Sequence, residues 1–233
     1  MKAFAIVMED HFISENGFSH LKYTSEQVNN DFEIKRFDAV VSRNVDEYME
    51  HYGLKWTWPD RGVTHDSVSG LRMHAYGGPP KRRYACAMSH FKLWEIAVNT
   101  QQPVLVLEHD AQFIEKFDCI DEIVNSKYEV VGINDPRSAT RLDQKFHSIV
   151  QAAEGPLVDC PVIDDMKVPQ GIAGGSAYVI KPNGASQAIA YAKAHGLWPN
   201  DALLCQQIFP WLGVTKTYYT KIQGLRSTTF SDT

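Results

Sequence analysis

Long hydrophobic runs are missing from this 233-residue chain. Its opening, MKAFAIVMED, has about six apolar residues before Glu9 and Asp10, too few for a signal-peptide core or for a membrane span of ~20 residues. No transmembrane segment is expected, and a soluble, cytoplasmic protein is the default. Positive charge is also in short supply, with 23 Lys and Arg against 28 Asp and Glu and a formal charge of −5. A nucleic-acid binder usually carries a basic surplus, so no nucleic-acid partner is expected. Cysteine is sparse. Cys86, Cys119, Cys160 and Cys205 stand 33, 41 and 45 residues apart with no CxxC pair. That spacing argues against a zinc site built on thiolates and for buried small side chains in a reducing compartment. Internal repeats and low-complexity tracts are lacking as well. What remains is an ordinary globular balance, 44% apolar and 22% charged, with material for one large α/β domain or two small ones.

Ala3 to Met8 is a continuous apolar run, long enough for a buried strand and short for a helix. Phe18 to Asn29 reads as a helix and Phe32 to Ser42 as a second strand. This β-α-β unit is the mark of an open, mostly parallel sheet. From Asn44 to Pro80, Gly and Pro break the chain repeatedly around Trp56 and Trp58, aromatics equally suited to covering a ligand or capping a satellite core. Arg83 to Asn99 has the 3.6 period, with Ala87, Phe91, Trp94 and Val98 on one face and no internal Gly or Pro. Pro103 to Leu107 is a short buried strand. A helix at Ile120 to Ser126 and a strand at Tyr128 to Ile133 follow, then a second irregular stretch from Arg137 to Pro169. Gly174 to Ile180 is expected as a strand, Ala185 to His195 as a helix, and Asp201 to Phe209 as a last helix capped by Trp198-Pro199-Asn200.

Four local features carry chemistry. The first is VLVLEHDA, a strand that stops abruptly at acid-x-acid. Ligands of open α/β sheets bind outside the carboxyl ends of the strands. A period of two sends Glu108 and Asp110 to one side and His109 to the other. Two such carboxylates repel, and a hard divalent cation relieves the repulsion while neutralising a diphosphate. A solvated strand end is the alternative. The second is Lys81-Arg82-Arg83 ahead of a helix that carries Ser89 and His90, either an anion site or a solvated basic turn. The third is Gly174-Gly175-Ser176, small residues that admit a ligand, or a bulge. The fourth is Asp201 at a helix start, where an acid also serves the helix dipole.

In this order the segments resemble glycosyltransferase family 25, the lipopolysaccharide-type galactosyltransferases that include the collagen galactosyltransferase domains. The family's "G-C-x-x-S-H…W" helix stands here as Ala85-Cys86-Ala87-Met88-Ser89-His90…Trp94, and its "L-E-D-D" strand end as Leu107-Glu108-His109-Asp110. The "G-x-x-A-Y-x-I" strand and "P-x-D" turn correspond to Gly174-Gly175-Ser176-Ala177-Tyr178-Val179-Ile180 and Pro199-Asn200-Asp201, and Phe4-Ala5-Ile6-Val7 fits the first strand. The resemblance implies an α/β, GT-A-like nucleotide-sugar-binding fold with a central, mostly parallel sheet flanked by helices. It implies a donor-binding half (about 1–115) and an acceptor-binding half (about 116–233). A UDP-sugar donor, UDP-galactose or UDP-glucose, transfer to a glycan or other hydroxyl acceptor, inversion, and Mn²⁺ or Mg²⁺ as cofactor are further implications. Asp110 is then the more direct metal ligand, with Glu108 on the metal or ribose. Ser89, His90, Arg82, Arg83, Gly175 and Ser176 line the donor pocket, and Asp201 is the general base.

Two positions depart from the pattern. His109 replaces the family's middle Asp and removes a charge, and Ala85 replaces a Gly. A non-catalytic nucleotide-sugar-binding protein of the same fold is the alternative that His109 supports. A metal-dependent hydrolase or nucleotidyltransferase is a third reading. Sugar, acceptor, linkage and oligomeric state are left open by the sequence.

Overall fold

The computed structural model of the chain describes residues 1–226 and 228. Its sheet is built from β1 (Lys2–Val7), β2 (Ile34–Asp38), β5 (Val104–Glu108), β7 (Val130–Gly132), β8 (Leu157–Asp159), β9 (Ala177–Ile180) and β10 (Leu212–Thr215), in the order β2-β1-β5-β9-β7-β10-β8. β1, β2, β5, β7 and β10 share one direction, while β8 and β9 run against it. The helices are α1 (Phe12–Gln27), α2 (Val45–His51), α3 (Pro80–Thr100), α4 (Ile120–Asn125), α5 (Asp143–Ala152), α6 (Pro182–His195) and the single turn α7 (Asn200–Leu203). Two ribbons, β3 (Val63–His65) with β4 (Arg72–His74) and β6 (Ala111–Phe113) with β11 (Thr220–Ile222), complete the described chain. This is the α/β architecture the resemblance implies, a central, mostly parallel sheet flanked by helices.

Both faces of the sheet's centre are covered, so β5 (VLVLE) and β9 (AYVI) read as apolar runs, while the edge strand β2 (IKRFD) is largely exposed. Along β5, Val104 and Val106 join a core with Phe91 and Trp94 of α3 and Ala188 and Ala192 of α6. Leu105 and Leu107 point the other way, to Leu21 of α1 and Ile123 of α4. Of the predicted face of α3, Ala87, Phe91 and Trp94 are fully buried and Val98 packs half-buried beside them. Each large apolar side chain buried this way is worth roughly 2–3 kcal/mol, so α3 and the polar residues it carries are firmly placed.

The structure corrects several expectations. α3 begins at Pro80, whose ring suits a first helical position. Lys81, Arg82 and Arg83 therefore lie inside the first turn, not ahead of it. The stretch from Asn44 to Pro80 contains α2 and the β3–β4 ribbon, and Arg137 to Pro169 contains α5 and β8. Gly174 and Gly175 form a tight turn with positive φ, and only Ala177–Ile180 is strand, antiparallel to both neighbours. The last helix stops at Leu203, not Phe209, because the chain beyond it bonds back to a loop: Gly171 bridges Cys205, and the Gln206 amide donates to the Gln170 carbonyl.

Among the described residues no helix is long and apolar enough to cross a membrane. The four cysteines are unpaired, three of them buried.

Candidate active site

Two cavities open beside the carboxyl ends of the parallel strands, where open α/β sheets hold ligands. The larger, about 580 Å³, is lined by Trp58, Tyr76, Arg83, Gln170, Glu108 and Asp201 among others, and falls in the size range of ligand sites. The smaller, about 80 Å³, is lined by residues at or just beyond the ends of β1, β2 and β5 and by Arg82, Ser89 and His90 of α3. Cys86 and Glu108 line both.

Glu108 is held twice. Its amide donates to the Ser176 carbonyl at 2.8 Å, and its Oε1 lies 3.2 Å from Nε2 of His90. Nδ1 of His90 is 2.8 Å from the Tyr178 hydroxyl, which also accepts from Trp94 Nε1 at 2.8 Å. His90, Trp94 and Tyr178 are wholly buried. Burial works to raise the Glu108 carboxyl, but the hydrogen bond from His90 and the neighbouring imidazoles outweigh it and hold the group below its ordinary value.

Asp110 lies in the turn after β5. The strand ends at Glu108, so the alternation expected to align the two acids stops before Asp110. Their link is electrostatic. Burial, and then the charge of Glu108, push Asp110 up to about 7, and its Oδ1 is buried with no hydrogen-bond partner. An orphaned buried carboxylate oxygen close to a second carboxylate fits a hard divalent cation. A sulfur-containing set also exists: Cys86 Sγ, a ring nitrogen of His90 and a Glu108 oxygen lie within 4.8 Å of one another. Its histidine nitrogen facing Glu108 is already committed to a hydrogen bond. His109, at the position of the missing acid, is buried. Burial pushes its imidazole below the ordinary value against the pull of Glu108, with His11 adding to the depression.

Asp201 stands in α7 after Pro199 and lines the larger cavity. Burial, and then the charge of Glu108, raise it to about 6. Gly171 crosses so near that a Cβ there would lie 1.8 Å from the Asp201 carbonyl oxygen. Asn200 accepts from the Cys86 thiol at 3.7 Å.

Of the residues the sequence singled out, Arg82, Ser89, His90 and Glu108 meet at the small cavity, and Arg83, Glu108 and Asp201 at the large one. Asp110, Gly175 and Ser176 line neither. Ser89 is engaged within the fold, accepting from the Val40 amide and donating to the Ala85 carbonyl, both at 2.9 Å. Arg83 is buried, and its Nη1 donates to the Tyr76 and Gly77 carbonyls at 2.6 Å, tying the loop before α3 to the helix. Gly175 backs onto Asn200, whose Nδ2 would be 2.7 Å from an added Cβ, at φ +69°. Ser176 acts through its carbonyl on Glu108. Trp58 is buried, lines the large cavity and packs at a tilt against Tyr76 and Trp198, while Trp56 packs on Tyr84. Sequence reasoning missed Gly171 and Gln170, and gave Trp94 and Tyr178 no role. The available signal was chemical: a buried Tyr or Trp needs a partner for its polar tip.

The sequence model of glycosyltransferase family 25 (LPS biosynthesis protein) matches residues 19–204. The chain belongs to glycosyltransferase family 25. No curated protein matches it. Among solved structures, an active-site mutant of LgtC is similar at 10% identity and a TM-score of 0.44, over 92% of this chain and 72% of that one. The galactosyltransferase LgtC in complex with donor and acceptor sugar analogues is similar at 10% identity and 0.43, over 92% and 73%. Mouse xyloside xylosyltransferase 1 in its apo form is similar at 8% and 0.44, over 91% and 83%. Likeness of this degree carries nothing about substrate or mechanism. Membership makes the protein a glycosyltransferase by family; of the motif residues, Cys86, Ser89, His90, Glu108, Gly174 and Asp201 line a cavity, while Asp110, Gly175 and Ser176 do not.

Proposed function

We propose that this family 25 protein moves a hexose, galactose or glucose, from a UDP-sugar to a saccharide or other hydroxyl acceptor, with inversion. The observation that carries the reading is the pair Glu108 and Asp201. They line one 580 Å³ cavity, and Glu108 also lines the small cavity at the strand ends. The donor-binding half, about 1–115, supplies Glu108, Asp110 and the small cavity with Arg82, Ser89 and His90. The acceptor-binding half, about 116–233, supplies Asp201. Asp201 takes the proton from the acceptor hydroxyl as that oxygen attacks the anomeric carbon opposite the UDP. The bond from anomeric carbon to UDP breaks, and its electrons leave with the diphosphate. A carboxylate raised to about 6 is ionised at neutral pH and is a stronger base than an ordinary one. Asp110 and Glu108 would hold the divalent cation, Mn²⁺ or Mg²⁺, whose contribution when bound is to neutralise charge on the leaving diphosphate. Arg83 lines the larger cavity, Gly175 backs onto Asn200 of its wall, and the Ser176 carbonyl anchors the Glu108 amide. Cytoplasmic placement belongs to the same proposal, and four unpaired cysteines support it.

The His109 substitution favours one other reading, a nucleotide-sugar-binding protein without turnover. Titration with UDP, with and without Mn²⁺, followed by a donor-turnover assay separates the two. Metal-dependent UDP binding with sugar transfer supports the enzyme. Tight UDP binding with no turnover under any metal supports the binder, and no UDP binding removes both.

A further inference from the structure

Trp94, Tyr178, His90 and Glu108 form one hydrogen-bonded row from the core to the cavities, with steps of 2.8, 2.8 and 3.2 Å. Three of the four are fully buried, so water is not at hand to complete their bonding. One direction of donation satisfies every member. An indole N–H only donates, so the Tyr178 oxygen accepts from Trp94. Tyr178 must then place its own proton, and Nδ1 of His90 is its partner. Nδ1 is therefore the bare nitrogen, and in the neutral ring the proton sits on Nε2, facing an oxygen of Glu108. The other tautomer would aim two donors at the Tyr178 oxygen, strand a buried O–H and turn a bare nitrogen toward a carboxylate. Stranding buried polar groups is costly, and that cost selects one tautomer.

We propose that Trp94 and Tyr178 are positioning residues that lock His90 in the Nε2–H tautomer, making it a fixed donor to Glu108 and closing it to metal. Protonated Nε2 then has no lone pair to give a cation, and the Nδ1 lone pair is taken by the Tyr178 hydroxyl at 2.8 Å. The Cys86, His90 and Glu108 set thus meets the distances for a metal without offering its nitrogen. Cations are directed to carboxylate oxygens, which selects hard Mn²⁺ or Mg²⁺ over thiophilic zinc. With Oε1 taken, Glu108 presents its other oxygen to a ligand. That catalytic consequence rests on the transferase reading, while the tautomer stands apart from it.

The test is ¹⁵N NMR of the histidine-labelled, substrate-free protein, with the His90 ring signals identified by their loss in His90→Gln. The expected spectrum shows a protonated Nε2 and a bare Nδ1. Trp94→Phe frees the Tyr178 oxygen to accept, and Tyr178→Phe removes the donor to Nδ1. In either folded variant the two nitrogen shifts should draw together as the other tautomer appears. A wild-type ring protonated at Nδ1 alone overturns the proposal, as does an unchanged His90 spectrum in a folded variant. Cobalt titration supplies a second readout. No thiolate-to-cobalt charge-transfer band is expected, and a band that Cys86→Ser abolishes overturns the closure to metal. These spectra need no donor, so their failure is distinct from a failure of UDP binding.

Discussion

Gly171 presses its backbone against the carbonyl oxygen of Asp201, leaving no room for a side chain: an added Cβ would stand 1.8 Å from that oxygen. Gly171→Ala therefore has to move the chain that carries Asp201. Overpacking of this kind costs about 1–3 kcal/mol, so the melting temperature should fall by several degrees and transfer by more than tenfold, with UDP binding kept. Gly53→Ala is the control, since nothing lies within 4 Å of its added Cβ and only a positive φ is strained. Equal loss of transfer in the two variants would contradict the role given to Gly171.

Asp201→Asn should lose transfer by about 10²–10⁴-fold, the usual worth of a general base, while UDP-sugar binding persists. In the wild-type protein kcat should rise with pH through about 6, because the base works ionised and burial beside Glu108 raises it there. A rate–pH profile that keeps its acid limb in a still-active Asn variant would move the base elsewhere.

Asp110 is raised from 3.8 to about 7 by burial and by Glu108. Folded protein thus binds this proton more tightly than unfolded chain does. The associated stability is complete below about pH 4 and is lost as pH rises through about 7. Asp110→Asn removes a buried anion and should raise the melting temperature of the metal-free protein at pH 8, by roughly 2–4 °C if about 1 kcal/mol is recovered. The same variant should lose Mn²⁺-dependent UDP binding. Thermal shift at pH 5 and pH 8 checks the sign, since the gain should be clearly smaller at the lower value.

Burial first, then Glu108, Asp201 and Asp110, push the Cys86 thiol well above its ordinary value. Thiolate is the reactive form. Maleimide labelling of Cys86 at pH 7.5 should therefore run at least about tenfold slower than that of glutathione, and mass spectrometry of the labelled peptide would measure it. Rapid labelling would mean that the sulfur is less buried, or the surrounding carboxylates farther from it, than the structure places them.

Much of the architecture is legible in the chain itself. β5 announces itself because both its faces are buried, leaving an unbroken VLVL run, and its end is marked by acids that no core would accept. α3 is equally plain, with Phe91 and Trp94 at helical spacing and no breaker between Pro80 and Thr100. Other elements are silent for physical reasons. Strand direction has no local signature, so the reversal of β9 could not be read from AYVI. α5 buries only Phe146 and Val150, too short a stripe to stand out from an Asp- and Pro-rich stretch. The chain after Leu203 has helical composition but spends its backbone groups on Gln170 and Gly171.

What the sequence by itself determined is which chemical groups stand at which ends: carboxylates after β5, a Ser-His pair on α3, an acid after Pro199. Periodicity and capping depend on neighbours a few residues away. Only the tertiary structure decided that Asp201 shares a cavity with Glu108, that Gly171 seats Asp201, and that Asp110 lies beyond the strand's alternation. It alone joined Trp94 to Tyr178 and so set the direction of every bond down to Glu108. Those relations form between groups distant in the chain, where burial shifts a proton and a single donor-only group orients a row of hydrogen bonds.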